Sequence, residues 1–158
     1  MAATSTEIQN ELDKRYRTTA FIVAGQIALT FIFIAVAFLF APSSETSVSA
    51  QNLMSLRVAA LFVAIGAFVL RRMFFRWDRL RDIVLLKGIF GLLRDLQKNA
   101  IVLGAMAELI VLIGFVIVLF GGNQFEMLRA GAVALVVFLI NFPRKSVWKK
   151  VAASLENI

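Results

Sequence analysis

Four long segments that carry almost no charge dominate the sequence. They are residues 18–41, 56–70, 100–121 and 127–142. Because an α-helix rises about 1.5 Å per residue, about 20 apolar residues cross the ~30 Å hydrocarbon core of a bilayer. The first and third segments reach that length. The second and fourth, at about 15 residues, end in basic side chains that can extend to the headgroups. The sequence therefore predicts an all-α integral membrane protein with four transmembrane helices.

The alternative is a protein with two transmembrane helices and two helices buried in a water-soluble core. A helix at the edge of such a core has a polar stripe facing solvent, whereas all four segments are apolar around the whole helix. Hydrophobic residues also make up 60% of the 158-residue chain, which exceeds the fraction of about one half that is usual in soluble proteins. We therefore favour four spans.

The chain contains neither cysteine nor histidine. Disulfides, thiol chemistry and thiolate metal sites are therefore excluded. The commonest ligand of zinc and haem is missing too, together with the commonest general base. The other polar residues form no nucleophile–base pair and no phosphate-binding glycine loop. We expect no enzymatic activity, no metal site and no cofactor.

Lysine and arginine concentrate in three parts of the chain, residues 1–17, 71–98 and 144–150. The two connections between them, residues 42–55 and 121–127, contain neither. By the positive-inside rule, both termini and the middle connection lie in the cytoplasm, and the chain crosses an inner or plasma membrane several times.

Aromatic residues and net charge agree with this topology. Tyr16, Trp77 and Trp148 fall at the predicted cytoplasmic ends of spans, where amphipathic rings anchor at headgroup level. The net charge of +7 follows from the same asymmetry and makes the anionic inner leaflet the expected partner of the basic segments. No nucleic acid is needed to explain it.

The two halves of the chain resemble each other. The matching segments are residues 20–40 with 100–120 and residues 53–72 with 125–144. This match predicts two tandem helical hairpins, residues 18–76 and 100–142, arranged as a parallel 2+2 repeat about an axis along the membrane normal. The alternative is that apolar helices resemble one another by composition alone.

Arg57 and Arg129 occupy matching positions and are the only basic residues on the predicted outer side. In one interpretation each extends to the headgroups, and Arg129 also pairs with Glu126 three residues before it. In the other, the two arginines form a site for an anion or a lipid headgroup. We favour the first interpretation.

Residues 77–99 form an amphipathic connection between the hairpins. Its apolar positions at helical spacing are Ile83, Leu86, Ile89, Phe90, Leu93 and Leu96. Two geometries fit: a helix lying flat on the inner leaflet, which we prefer, or an upright hairpin that turns near Gly88 and Gly91. Residues 1–17 are expected to form a cytoplasmic segment with a short surface helix, and residues 143–158 a basic cytoplasmic tail.

A single carboxylate, Glu108, lies within the third apolar segment. At helical rise it is about 12 Å past residue 100, well inside the hydrocarbon, and Gln26 lies at the same depth in the first span. Both spans carry small residues spaced by four, a pattern typical of close helix contacts: Ala20, Ala24 and Ala28, and Ala100 and Gly104. We therefore expect Glu108 to face neighbouring helices, with Gln26 and Thr30 as the other intramembrane polar candidates.

Two roles for Glu108 follow, and each implies a different function. As a protonated side chain bonded to Gln26 or a partner, it fits a non-catalytic accessory or assembly subunit of a larger bioenergetic or transport complex, bound to other membrane subunits. As a proton or cation site, it fits a small homodimeric coupled transporter. The sequence favours the first function, because few polar groups accompany Glu108.

Overall fold

The structure, a computed structural model, describes residues 5–40, 50–120 and 123–155. Its helices are α1 (Ser5–Phe40), α2 (Ala50–Phe74), α3 (Trp77–Leu119), α4 (Gln124–Asn141) and α5 (Lys145–Leu155). Four helical stretches, one each in α1, α2 and α3 and one that begins with α4, are long and apolar enough to cross a membrane. The predicted all-α class with four helices of membrane-spanning length is confirmed.

Parts of the predicted outer connections, residues 41–49 and 121–122, lie outside the described residues. The described start of α4 is fixed locally, because Oδ1 of Asn123 accepts a hydrogen bond from the backbone N–H of Phe125 at 3.0 Å. The end of α4 follows from Pro143, which disfavours helical geometry at the residue before it.

The four spanning helices pack as a rhombus, with α3 and α4 on its short diagonal. Both α1 and α2 contact α3 and α4, but within the described residues no Cα atom of α1 comes within 8 Å of a Cα atom of α2. The first two spans therefore flank the central pair from opposite sides.

This packing does not confirm the predicted pair of equivalent hairpins. Residues 100–142 do form a closely packed hairpin, but the two helices within residues 18–76 are separated by the central pair. A rotation by half a turn that exchanged the two halves would have to superpose α3 and α4, which are in contact, on α1 and α2, which are not. The resemblance between the halves is therefore not matched by equivalent packing.

Missing side chains allow α4 to approach both α3 and α1 closely. A Cβ atom added at Gly114 of α3 would collide with the Cβ atom of Ala130 on α4. A Cβ atom added at Gly131 of α4 would lie 2.8 Å from Cδ1 of Ile34 on α1. Transmembrane helices are held together by such close packing, since lipid gives no hydrophobic force between them.

A second core, which we call the cap, lies where the start of α1, the start of α3 and α5 meet. Its buried side chains are Leu12, Leu80, Ile83, Leu92, Leu93, Leu96, Trp148, Ala152 and Leu155. Because α1 and α5 both contribute, the two ends of the described chain lie at the same end of the bundle. Residues 5–17, the described part of the N-terminal segment, are not a separate surface helix but the first turns of α1, and the basic tail contains α5.

Gly88 divides the predicted amphipathic connection into two parts. Its φ of 66° and ψ of −178° interrupt α3, and L side chains rarely adopt such a backbone. The break falls where the hairpin alternative turns, and the residues after it continue into the third span, so residues 77–99 are not one continuous helix. Ile83 and Leu96 are buried in the cap, whereas Leu86 is 83% exposed. Much of the face expected on the leaflet is therefore used inside the protein.

An ion pair between Asp13 of α1 and Lys145 of α5 should make the cap sensitive to acid. The Nζ–Oδ2 distance is 2.8 Å, and the hydrogen bond and charge of Lys145 hold the pKa of the Asp13 carboxyl below its ordinary value. A carboxyl with a lowered folded-state pKa stabilises the fold above its ordinary pKa. That stabilisation is lost as the pH falls through the lowered value.

We expect Asp13→Asn to lower the stability of the cap slightly at pH 7, and this difference from the wild type to shrink as the pH falls below about 4. Thermal unfolding in detergent across this pH range would measure it. Lys145→Gln should give the same profile. A difference that stayed constant with pH would contradict the assignment.

Candidate functional site

The polar group deepest in the third span is the carboxyl of Glu108. Its side chain is half-buried, and Oε1 is shielded from solvent without a hydrogen-bond partner within the described residues. It lies on α3, the helix that contacts all three other spans.

The amide of Gln26 on α1 is the polar neighbour of this carboxyl and lies within hydrogen-bonding reach of it. The amide packs on Gly104, one helical turn before Glu108, where an added Cβ atom would collide with its Oε1. The missing side chain at Gly104 thus makes room for Gln26 beside Glu108. The structure therefore brings together the two residues that the sequence places at equal depth.

Thr30 does not extend this pair into a polar path. Its side chain is fully buried, and its hydroxyl donates to the backbone carbonyl of Gln26 at 3.3 Å, one turn earlier in the same helix. This bond satisfies the hydroxyl within α1.

The chemistry of the pair is set by a missing donor. Oε1 of Gln26 and Oε1 of Glu108 are both buried acceptors with no donor among the described residues. A protonated carboxyl supplies one O–H group, which can donate to the amide oxygen while the amide N–H group stays available to the carboxyl. A buried acceptor left without a donor costs about 1–3 kcal/mol, so one proton has a large effect here.

The small-residue ridges that motivated this site differ between the two spans. On α3, Ala100 and Gly104 are buried as expected, but on α1 both Ala24 and Ala28 are exposed. The ridge of α1 therefore does not mediate its contact with α3. Gln26, two residues from each alanine, faces α3 instead.

The residues that line the cavities show whether the polar pair borders one of them. Four cavities on the described residues have volumes between about 230 Å³ and about 910 Å³, and Glu108, Gln26 and Thr30 line none of these four. The contact of the Gln26 amide with Gly104 places the polar pair in a packed contact between α1 and α3.

A three-residue charge cluster lies at the opposite end of the bundle from the cap. Arg57 of α2 donates from Nε and Nη2 to the two carboxylate oxygens of Glu126, both at 3.2 Å. Arg129 donates to the same carboxylate at 2.8 Å. Glu126 is buried. Because Arg57 belongs to α2 and Glu126 to α4, the carboxylate joins these two helices.

The sequence predicted the Arg129–Glu126 pair but not the contact of Arg57. The sequence does contain a signal for this contact. Arg57 and Arg129 occupy matching positions, and the single acid near Arg129, Glu126, can accept from both. The favoured interpretation, in which each arginine extends separately to the headgroups, does not describe Arg57. The cluster borders a cavity of about 230 Å³ whose other walls are mainly apolar.

Removing the shared carboxylate should cost more than removing either arginine. Both arginines are at least half exposed, so solvent screens each pair, and ion pairs screened in this way contribute about 0.2–1 kcal/mol each. We therefore expect Arg57→Gln and Arg129→Gln each to fall in this range, and Glu126→Gln to cost about the sum of both. Unfolding titrations in detergent would measure all three. A Glu126→Gln variant as stable as the wild type would contradict the cluster.

The predicted interface anchors differ in their surroundings. Trp148 is only 2% exposed and packs edge-on against Tyr16, with ring centroids 6.1 Å apart. Both rings belong to the cap instead of standing free at the headgroups. Trp77 is 50% exposed and remains available as an anchor.

No group of three acidic side chains that could hold a metal ion occurs among the described residues. Comparison with protein-family models, with curated proteins and with solved structures finds no match for this chain.

Proposed function

We propose that this protein is a non-catalytic accessory or assembly subunit of a larger membrane complex of bioenergetic or transport function. The observation that carries the proposal is the placement of Glu108. Its carboxyl meets Gln26 in a packed contact between α1 and α3, and the pair lines none of the four cavities. An intramembrane acid held in this way strengthens a helix contact.

The surface for partner subunits is the outer face of α2 in this proposal. This helix carries a run of large exposed apolar side chains, Leu61, Phe62, Ile65, Phe68, Val69 and Met73. Aromatic and aliphatic side chains of this kind pack against neighbouring transmembrane helices as well as against lipid. The cap does not cover this face, because its buried side chains come from α1, α3 and α5.

Photo-crosslinking in intact cells tests this proposal. A photoreactive residue at Phe62, which is exposed, should form a stoichiometric adduct with a different membrane protein. The same residue at Ala67, which is buried in the same helix, is the matched control and should not. The adduct should co-purify intact in mild detergent. Adducts with lipid alone, or only with a second copy of the chain, would contradict the proposal.

The alternative is a small homodimeric transporter that couples transport to a proton or cation at Glu108. The observation in its favour is that Oε1 of this carboxyl has no hydrogen-bond partner among the described residues, since intramembrane acids often mark ion pathways. A homodimer of uniform mass in a native mass spectrum would favour this function.

The proposed topology places both termini in the cytoplasm of an inner or plasma membrane. Two observations support this topology. The start of α1 and the whole of α5 lie at the same end of the bundle, and basic residues are concentrated at that end. Cysteines introduced at Ser44 and Asn123 should react with an impermeant thiol reagent added outside cells, and one at Ser154 should not. The reverse pattern would refute this topology.

A further inference from the structure

An open groove of about 910 Å³ lies between the start of α1 and the part of α3 after its break. Its charged lining residues are Arg15, Lys87, Arg94, Asp95 and Lys98. Four cations thus face one acid. The groove is therefore suited to an anion, and neither the Glu108 pair nor the outer charge cluster belongs to it.

Two of the four cations have no partner in the part of the chain that the structure describes. Arg15 donates to Glu11 and to Gln97, and Lys87 lies 3.4 Å from Asp95. Arg94 and Lys98, by contrast, make no ion pair or side-chain hydrogen bond within the described residues and are exposed. Because they are four residues apart on one helix, they project from the same face.

The position of the groove along the spans indicates which class of ligand it binds. Lys98 lies two residues before the third apolar segment, and Arg15 lies three residues before the first. Beyond the cations, the wall continues with Ile101 and Val102, which already belong to the third segment. The basic side chains of the groove therefore lie at the level of the lipid phosphate groups, and its apolar wall lies at the level where the acyl chains begin.

The break at Gly88 contributes to the shape of the groove. Lys87 ends the helical part before the break, and the salt bridge to Asp95 crosses to the part after it. Gly91, with no side chain, forms part of the wall between them. The break thus brings Lys87 to the same opening as Arg94.

We propose that this groove binds the phosphate headgroup of an anionic phospholipid, with an acyl chain along Ile101 and Val102. Arginine and lysine donate charge-assisted hydrogen bonds to phosphate oxygens. Basic pockets at the cytoplasmic ends of spans bind such headgroups. The apolar wall selects a lipid over a soluble phosphate, because a soluble phosphate has no acyl chain to cover it.

Native mass spectrometry of the delipidated full-length protein, titrated with dioleoyl-phosphatidylglycerol in nonionic detergent, tests the proposal. One lipid per chain should bind tightly, and Arg94→Gln with Lys98→Gln should weaken its binding roughly thirtyfold. The matched control is Arg81→Gln with Lys150→Gln, which removes the same charge from exposed positions outside the groove. It should change the affinity less than threefold.

Two further measurements make the test decisive. The charge-preserving pair Arg94→Lys with Lys98→Arg should keep most of the affinity. Glycerol 3-phosphate should compete only weakly, because it lacks acyl chains. Equal losses in the groove and control variants would overturn the proposal in favour of general charge attraction. Full competition by glycerol 3-phosphate would overturn it in favour of a soluble-anion site.

Discussion

Replacing Gly114 with alanine is expected to destabilise the transmembrane bundle by about 1–3 kcal/mol, the usual cost of overpacking a tight core. Gly114 is buried on α3, and the new methyl group would overlap the Cβ atom of Ala130 on α4. A Cβ atom is fixed to its helix, so it cannot rotate away as the end of a long side chain can. The two helices of the short diagonal would therefore have to separate.

Gly25→Ala is the matched control for this prediction. An added Cβ atom at Gly25 meets nothing within 4 Å, and alanine favours a helix by up to about 1 kcal/mol over glycine. This variant should therefore be neutral or slightly stabilising. Helical circular dichroism during titration with a denaturing detergent would compare the two.

The double variant Gly114→Ala with Ala130→Gly exchanges the two residues across the contact and should recover much of the lost stability. Failure of this rescue, or equal responses at Gly114 and Gly25, would contradict the packing of α3 on α4.

The spans could be predicted from sequence because a bilayer imposes a simple requirement on length and hydrophobicity. Each apolar segment meets it by itself, without reference to the rest of the fold. The order of packing could not be predicted in the same way. Apolar helices have similar surfaces, and the contact of Gly114 with Ala130 depends on which faces meet.

The cap illustrates a second limit of sequence reasoning. An amphipathic pattern such as that of residues 77–99 shows that one face avoids water, but a leaflet and a protein core satisfy this requirement equally. What decided the outcome was the folding of α5 onto this face through Trp148 and Leu155. The contact joins residues far apart in the chain, as does the pairing of Arg57 with Glu126.

The candidate site was more predictable than the packing around it. Depth along a helix is a matter of residue count, so Glu108 and Gln26 could be placed at one level from sequence alone. Which face of α1 carries the contact is not predictable, since the alanine ridge matches the usual pattern of close helix contacts better than Gln26 does. The structure places Gln26 there because Gly104 leaves space for its amide.

Replacing Glu108 with lysine is expected to be the most damaging change at this site. Lysine near the centre of a span costs about 2.5–3.5 kcal/mol for insertion. Glu108→Leu should cost less, about 0.6–2 kcal/mol, because it removes a hydrogen bond between helices. Glu108→Gln should be the mildest, since its amide supplies a donor to Oε1 of Gln26. Yield of folded protein and unfolding in detergent would establish this order.

Coupling between the two residues separates a structural role from a transport role. If the carboxyl serves the contact with Gln26, Gln26→Leu should cost about as much as Glu108→Leu, and the double variant should cost little more than either. Glu108→Gln should then retain both assembly and function. A transporter predicts otherwise, because an amide cannot exchange a proton and Glu108→Gln would stop transport as fully as leucine does. A glutamine variant that assembles normally but has no function would therefore assign the carboxyl to proton or cation coupling and overturn the structural role.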